Sequence, residues 1–226
     1  MPSHPFARIA LVIVLLAICL AAGILGGIDY APDIELIREL AQYRVEQPGL
    51  TVAAIAVTQA GSAYGTVGGG LAVAAWLYLR HGPALAALLA GTVVTERLVI
   101  DGMKLLIDRT RPSFDLHPVV THSSSFPSGH AGNSMAVLLA IALIAVPRTR
   151  RVPAVIAAVC GSLLVGSTRP YLGVHWPSDV IGGWALGAAI AIIAGSIADR
   201  LRDEPGSAAA AEEQHQIVCG HDPALD

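Results

Sequence analysis

Residues 168–198 read Thr168-Arg169-Pro170-Tyr171-Leu172-Gly173-Val174-His175-Trp176-Pro177-Ser178-Asp179 and then, from Val180 to Ala198, VIGGWALGAAIAIIAGSIA. The second part matches the roughly 20 apolar residues that a helix needs to cross a bilayer. The first part sets an arginine, a histidine and a carboxylate at its mouth. Pro177 suits a first helical turn. From Asp179 onward Gly183, Gly187, Ala191 and Gly195 recur every four residues as a small-residue stripe, which turns Asp179 inward against other helices. One turn separates Asp179 from His175, a spacing at which a carboxylate fixes the tautomer of an imidazole and stabilises its cation. A purely structural pair at a helix start is the alternative.

The same ruler divides the rest of the chain. Of 226 residues, 54% are hydrophobic and only 14% charged, and the mean hydropathy is +0.62, too apolar for a soluble domain. Six spans are expected: Phe6 to Ile28, Leu50 to Leu79, Pro83 to Leu106, Gly129 to Val146, Val152 to Thr168 and Val180 to Ala198. The first is read as an anchor and not as a cleaved signal, because Leu16-Ala17-Ile18-Cys19 lacks a small residue before the cysteine and cleavage after Ala22 leaves an odd number of spans. One membrane-embedded domain, residues 1–202, is expected, with a disordered cytoplasmic tail at 203–226. A net charge of -3 and the absence of a basic stripe with interleaved aromatics argue against a nucleic-acid partner. Cys19, Cys160 and Cys219 have neither disulfide-frame nor zinc-site spacing.

Arginines fix the orientation. Arg8, Arg80, the group Arg148, Arg150 and Arg151, and the pair Arg200 and Arg202 all fall at one set of span ends, which the positive-inside rule makes cytoplasmic. The other ends, with the loops Asp29 to Gly49, Ile107 to Ser128 and Arg169 to Asp179, are then extracytoplasmic, in a multi-pass protein of the inner (plasma) membrane. Asp33 to Glu46 puts Ile34, Ile37, Leu40 and Ala41 on one helical face before Pro48-Gly49 stops it, the pattern of an interfacial helix. In the second span Gly61, Gly65, Gly68, Gly69 and Gly70 are read as close packing against neighbours, in preference to a broken helix.

Two further clusters lie at the extracytoplasmic edge. Charges inside apolar runs face protein or a watery cavity, and for Glu96, Arg97 and Asp101 a self-paired ladder along the third span accounts for them. Lys104 is different, because Asp108, Arg109 and Arg111-Pro112 follow where the helix surfaces. There a point-like ammonium and a forked guanidinium grip a phosphate together. In Ser125-Phe126-Pro127-Ser128-Gly129-His130, Ser128 is an N-cap, Gly129 lets backbone approach a ligand, and the helix N-terminus favours an anion beside His130; an ordinary capped helix with a surface histidine is the alternative. No Gly-x-Ser-x-Gly turn surrounds Ser128, so it is not read as a nucleophile. His117 and His122 are read as solvated loop histidines.

Together these residues resemble the type 2 phosphatidic acid phosphatase superfamily, with its ordered motifs Lys-x6-Arg-Pro, Pro-Ser-Gly-His and Ser-Arg-x5-His-x3-Asp. Here they stand as Lys104 to Arg111-Pro112, Pro127 to His130, and Arg169-x5-His175-x3-Asp179, and the likeness runs from about Pro83 to Ala198. Thr168 departs from the usual serine, which implies altered packing or hydrogen bonding around Arg169.

The resemblance implies an all-α, six-helix membrane bundle that hydrolyses a lipid phosphate monoester or diphosphate without metal or other cofactor. His175 is then the nucleophile that becomes phosphohistidine, Asp179 its orienting partner, and His130 the acid and base. Lys104, Arg111, Ser128, Gly129 and Arg169 bind the phosphoryl oxygens, and Arg109 is placed to reach a second phosphate or headgroup. Substrate and bilayer are the expected partners, and a polyprenyl diphosphate is preferred to phosphatidic acid or phosphatidylglycerol phosphate. A phosphate or anion transporter without hydrolysis is the reading from another class; it would show paired repeats and broken helices in both halves.

Overall fold

Asp179 and Asp199 stand 20 residues apart on a single helix, about 30 Å at 1.5 Å per residue, and the two ends of that helix gather different chemistry. The computed structural model describes residues 5–114, 119 and 123–219, with side chains described as far as Asp203; His117 and His122 lie outside the described residues. Regular structure among the described residues is helical. The elements are α1 (Pro5–Leu25), α2 (Ala31–Glu46), α3 (Pro48–Ala60), α4 (Ala63–His81), α5 (Pro83–Ile107), α6 (Gly129–Ile144), a 3-10 turn (Arg148–Arg150), α7 (Arg151–Tyr171) and α8 (Pro177–Cys219).

Among the described residues, four segments are long and apolar enough to cross a membrane: α1, α5, the 3-10 turn with α7, and α8 as far as Asp203. Helices α3 and α6 are apolar but shorter. The backbone of α8 stays helical to Cys219, past the position at which the sequence suggests a disordered tail. Helix α8 lies at the centre, packed on α6, α1 and α5, while α6 also packs on α7. The small-residue stripe makes this possible. A Cβ at Gly183 would lie 2.6 Å from the Ser128 carbonyl oxygen, and one at Gly187 2.5 Å from that of Gly132, so the backbones of α6 and α8 touch.

The second expected span is not one helix. It breaks between α3 and α4 at Gly61-Ser62, where Ser62 is extended (φ −63°, ψ 160°) and its hydroxyl caps α4 by accepting from Gly65 N at 3.1 Å. Packing and breakage coincide here, since a Cβ at Gly61 would come within 2.2 Å of Val165 Cγ1 on α7. Gly68 and Gly69 meet nothing within 4 Å, so they do not contribute the close packing expected of them.

The charged residues of α5 also divide differently from the expected ladder. Arg97 and Asp101 pair at 3.0 Å on the exposed face. Glu96 points inward and is buried; the Asn133 amide, in its favourable orientation, donates to Glu96 Oε1 at 2.6 Å and to the Gly129 carbonyl at 2.8 Å. At the far end of α8, Asp199 receives Arg8 at 2.8 Å and Arg151 at 2.9 Å, and Arg148 reaches Asp203 at 2.9 Å. Arginines assigned to one membrane side by their sequence positions therefore meet around one carboxylate.

Candidate active site

The N-terminus of α8 builds the centre of the site. Trp176, Pro177 and Asp179 form half of a capping box, in which the Asp179 carboxylate reaches back to accept from Trp176 N at 2.8 Å. The approach from α7 needs a left-handed residue, and Gly173 (φ +73°) supplies it, with Arg44 Nη1 3.0 Å from where its Cβ would stand. Leu172, Val174 and Trp176 are wholly buried on either side, so the intervening His175 is held from both directions. Trp176 adds an indole N–H donated to the Thr110 carbonyl at 2.8 Å.

His175 Nδ1 lies 3.4 Å from Asp179 Oδ2 and 3.4 Å from Ser125 Oγ, while Nε2 lies 3.1 Å from Arg111 Nη1. Ser125 donates to Asp179 Oδ2 at 2.5 Å. Burial above all, then the nearby cations Arg111, Arg169 and Lys104, holds the imidazole well below its ordinary pKa, so His175 is neutral.

Three cations converge on this histidine from three elements. Lys104, in the last turn of α5, donates to the Ser124 carbonyl at 2.7 Å. Arg111 donates to the carbonyls of Ser123 at 2.9 Å and Val174 at 2.5 Å. Arg169, 3% exposed, donates to Thr58 Oγ1 at 2.8 Å, and its buried Nε has no partner. Thr58 stands in the last turn of α3, so the break in the second span delivers the hydroxyl that holds Arg169. The Thr168 hydroxyl turns back to the Val165 carbonyl at 2.6 Å.

Ser128 occupies the N-cap position of α6 but its hydroxyl caps nothing; it is buried and unpartnered. Its backbone N donates to the Asp179 carbonyl at 3.0 Å, tying the start of α6 to that of α8. Gly129 opens α6, and His130 follows, partly buried and within electrostatic range of Arg169, His175, Arg111 and Lys104. All the residues singled out from the motifs thus meet at one end of the bundle.

Arg109 does not join them. It points the other way, with Nη1 2.8 Å from Asp179 Oδ1 and Nη2 donating to the carbonyls of Ala22 and Gly23 at 2.9 and 2.6 Å, and its guanidinium 4.6 Å from the Phe126 ring centroid. Its side chain is 8% exposed, so a second phosphate in solution is out of its reach. The consequence is electrostatic. The charge of Asp179 is met by Arg109, and among the described residues no carboxylate pairs with Lys104, Arg111 or Arg169. Their partners are neutral oxygens or an imidazole nitrogen. Two buried cations and a part-buried one, none paired directly with a carboxylate, call for an anion.

A sequence comparison with known families matches residues 80–203, more than half of the chain, to the PAP2 superfamily. The chain belongs to that superfamily. Phosphatidylglycerophosphatase B of Bacillus subtilis is 42% identical over 100 residues, which cover 41% of this chain and 48% of that protein. Undecaprenyl-diphosphatase of Sulfolobus acidocaldarius is 42% identical over 84 residues, covering 36% and 37% respectively. The chain thus spans about half or less of the length of the curated relatives it matches. The crystal structure of a transmembrane PAP2 type phosphatidylglycerolphosphate phosphatase from Bacillus subtilis superposes with a TM-score of 0.74 at 26% identity, over 85% of this chain and 96% of that one. A multi-pass PAP2 membrane fold accounts for the arrangement of apolar helices.

The motifs did not disclose Asp33, Ser125, Ser178 and Thr58. Asp33 carried a signal. It lies on the stripe Asp33, Ile37, Leu40, Ala41 and Arg44, the buried face of α2, and a carboxylate on a buried face needs a partner.

Proposed function

We propose that this protein is an integral membrane lipid phosphatase that cleaves a phosphate ester through a phosphohistidine at His175. The observation that carries the reading is the trio Lys104, Arg111 and Arg169 around a neutral, Asp179-braced imidazole, with the carboxylate's own charge already met by Arg109. A phosphoryl group supplies the missing negative charge.

The steps follow from the groups present. Arg111 transfers its hydrogen bond from Nε2 to a phosphoryl oxygen, freeing the lone pair of His175 to attack phosphorus. As the P–O bond to the lipid breaks, His130 gives a proton to the leaving oxygen. His130 then takes a proton from water, which attacks the phosphohistidine and releases inorganic phosphate and neutral His175. Lys104, Arg111, Arg169, the Ser128 hydroxyl and the Gly129 amide hold the equatorial oxygens during both transfers.

Six crossings are counted as α1, the broken pair α3 and α4, α5, α6, α7 and α8, with α2 lying along the extracytoplasmic interface. The arginines around Asp199 support a cytoplasmic position for the far end. Helix α6 has 16 residues, about 24 Å, so its N-terminal His130 is set below the surface of a hydrocarbon core about 30 Å thick. The likeness to the Bacillus phosphatidylglycerolphosphate phosphatase over nearly all of that chain favours a phospholipid phosphate monoester. The burial of Arg109 supports this choice, because it leaves one phosphoryl group's worth of cations. A polyprenyl diphosphate, first choice from the sequence, is the second reading and rests on the likeness to an undecaprenyl-diphosphatase.

Release of inorganic phosphate in detergent with EDTA tests the proposal on phosphatidylglycerol phosphate, phosphatidic acid and a polyprenyl diphosphate. Turnover of at least one of them, fastest on a monoester and lost in His175→Ala, is expected. No release from any lipid, or undiminished release by His175→Ala, contradicts it.

A further inference from the structure

A second buried carboxylate lies behind the first. Asp33, 1% exposed, stands in the first turn of α2. Its Oδ1 accepts from Ser178 N at 3.0 Å, and its Oδ2 accepts from Gly27 N at 2.7 Å and from the Ser178 hydroxyl at 2.5 Å. The Ser178 oxygen in turn accepts from Arg109 Nη1 at 3.1 Å, and the same Nη1 donates to Asp179 Oδ1 at 2.8 Å. A continuous buried line therefore runs from α2 through Ser178 and Arg109 to Asp179 and His175.

The two kinds of bond in this line do different work. Backbone donors from Gly27 and Ser178 are enough to fasten α2 to the ends of α1 and α8. The hydroxyl adds something else. A serine has one proton, and giving it to Asp33 turns the oxygen lone pairs toward Arg109. Asp33 thereby fixes the acceptor that Arg109 meets, and its charge makes a second anion beside that guanidinium. Arg109 is held on Asp179 and kept from swinging out to join Lys104, Arg111 and Arg169. Neighbouring backbone is shaped around the hydroxyl: a Cβ at Gly26 would fall 1.9 Å from Ser178 Oγ, and the α1 carbonyls of Ala22 and Gly23 take the other guanidinium nitrogen.

We propose that Asp33, acting through Ser178 and Arg109, is a positioning residue for the Asp179–His175 pair, so that α2 sets the geometry of the nucleophile. This rests on the hydrolase reading above. Ser178→Ala in the full chain cuts only the hydroxyl link and keeps the backbone bonds that anchor α2. Its kcat is expected to fall about fivefold, the worth of one net hydrogen bond, with KM within about twofold and the fold retained at a slightly lower unfolding temperature. Asp33→Asn, which also removes the charge, is expected to lose about tenfold or more in kcat. In protein labelled with 15N-histidine, the His175 Nδ1–H resonance is expected to move in both variants. Wild-type kcat with an unmoved resonance in Ser178→Ala overturns the proposal, as does a change confined to KM. If the wild type releases no phosphate, the hydrolase reading falls, and the resonance in Ser178→Ala alone decides whether Asp33 is coupled to His175.

Discussion

Arg111 Nη1 lies 3.1 Å from His175 Nε2, and a guanidinium only donates, so the ring's lone pair faces the cation cluster and its proton sits on Nδ1 toward Asp179. The tautomer that a phosphorus nucleophile needs is thus set from both sides. Arg111 occupies the position from which it can pass to an incoming phosphoryl oxygen.

Arg169 tests the clamp. A lysine keeps its charge but loses the fork that holds Thr58 and, in the proposed mechanism, a phosphoryl oxygen. Arg169→Lys is expected to lower kcat/KM by about 10²- to 10³-fold, the range seen when one preorganised donor to a transition state is removed. Thr58→Val leaves the guanidinium in place with one donor unpaired and is expected to lower kcat/KM by about tenfold. Steady-state kinetics on the preferred lipid distinguish the two.

The contact between α6 and α8 is tested by adding single methyl groups. Gly183→Ala sets a Cβ 2.6 Å from the Ser128 carbonyl, so the two helices must part just where His130 and Asp179 begin them. A loss of about 1–3 kcal/mol in stability is expected, together with a lower kcat. Gly68→Ala, with nothing within 4 Å of the added carbon, is expected to leave both unchanged or to stabilise α4 slightly. Thermal unfolding in detergent, read beside activity, checks the pair.

Acid stability follows from His175. Its folded pKa is lowered well below the ordinary value, chiefly by burial, so the folded state binds fewer protons than the unfolded chain. The contribution is fully present above about pH 6.5 and is lost as pH falls toward the folded pKa, with a slope of up to about 1.4 kcal/mol per pH unit. Wild-type unfolding temperature should therefore fall between pH 6.5 and 5 more steeply than that of His175→Asn. Parallel curves for the two proteins would assign the acid sensitivity to other groups.

Much of this was legible in the sequence because the informative spacings are local. His175 and Asp179 are one helical turn apart, Lys104 ends a helix that Arg111 follows, and a four-residue glycine stripe needs nothing beyond helical periodicity. What was not legible depends on tertiary approach. Thr58 meets Arg169 across 111 residues and Asp33 meets Ser178 across 145, and no periodicity links such pairs. Arg109 shows the difference most sharply. Two residues from Arg111, it is placed by the sequence to reach a second phosphate or headgroup, yet after the left-handed residue Asp108 (φ 41°) at the end of α5 the chain is irregular, and Arg109 points inward while Arg111 faces the site. Glu96 makes the same point within a helix, since its neighbour Arg97 pairs on the outside while Glu96 is buried against α6.

The central claim is a covalent phosphohistidine at His175, and trapping that intermediate tests it most directly. With lipid labelled in its phosphate, rapid quench of the wild-type protein in alkaline detergent during turnover should retain acid-labile, base-stable label on the peptide carrying His175. The label should appear only transiently, and in His175→Ala not at all. Label on another residue, or turnover by the wild type with no label trapped on rapid alkaline quench, would contradict the account.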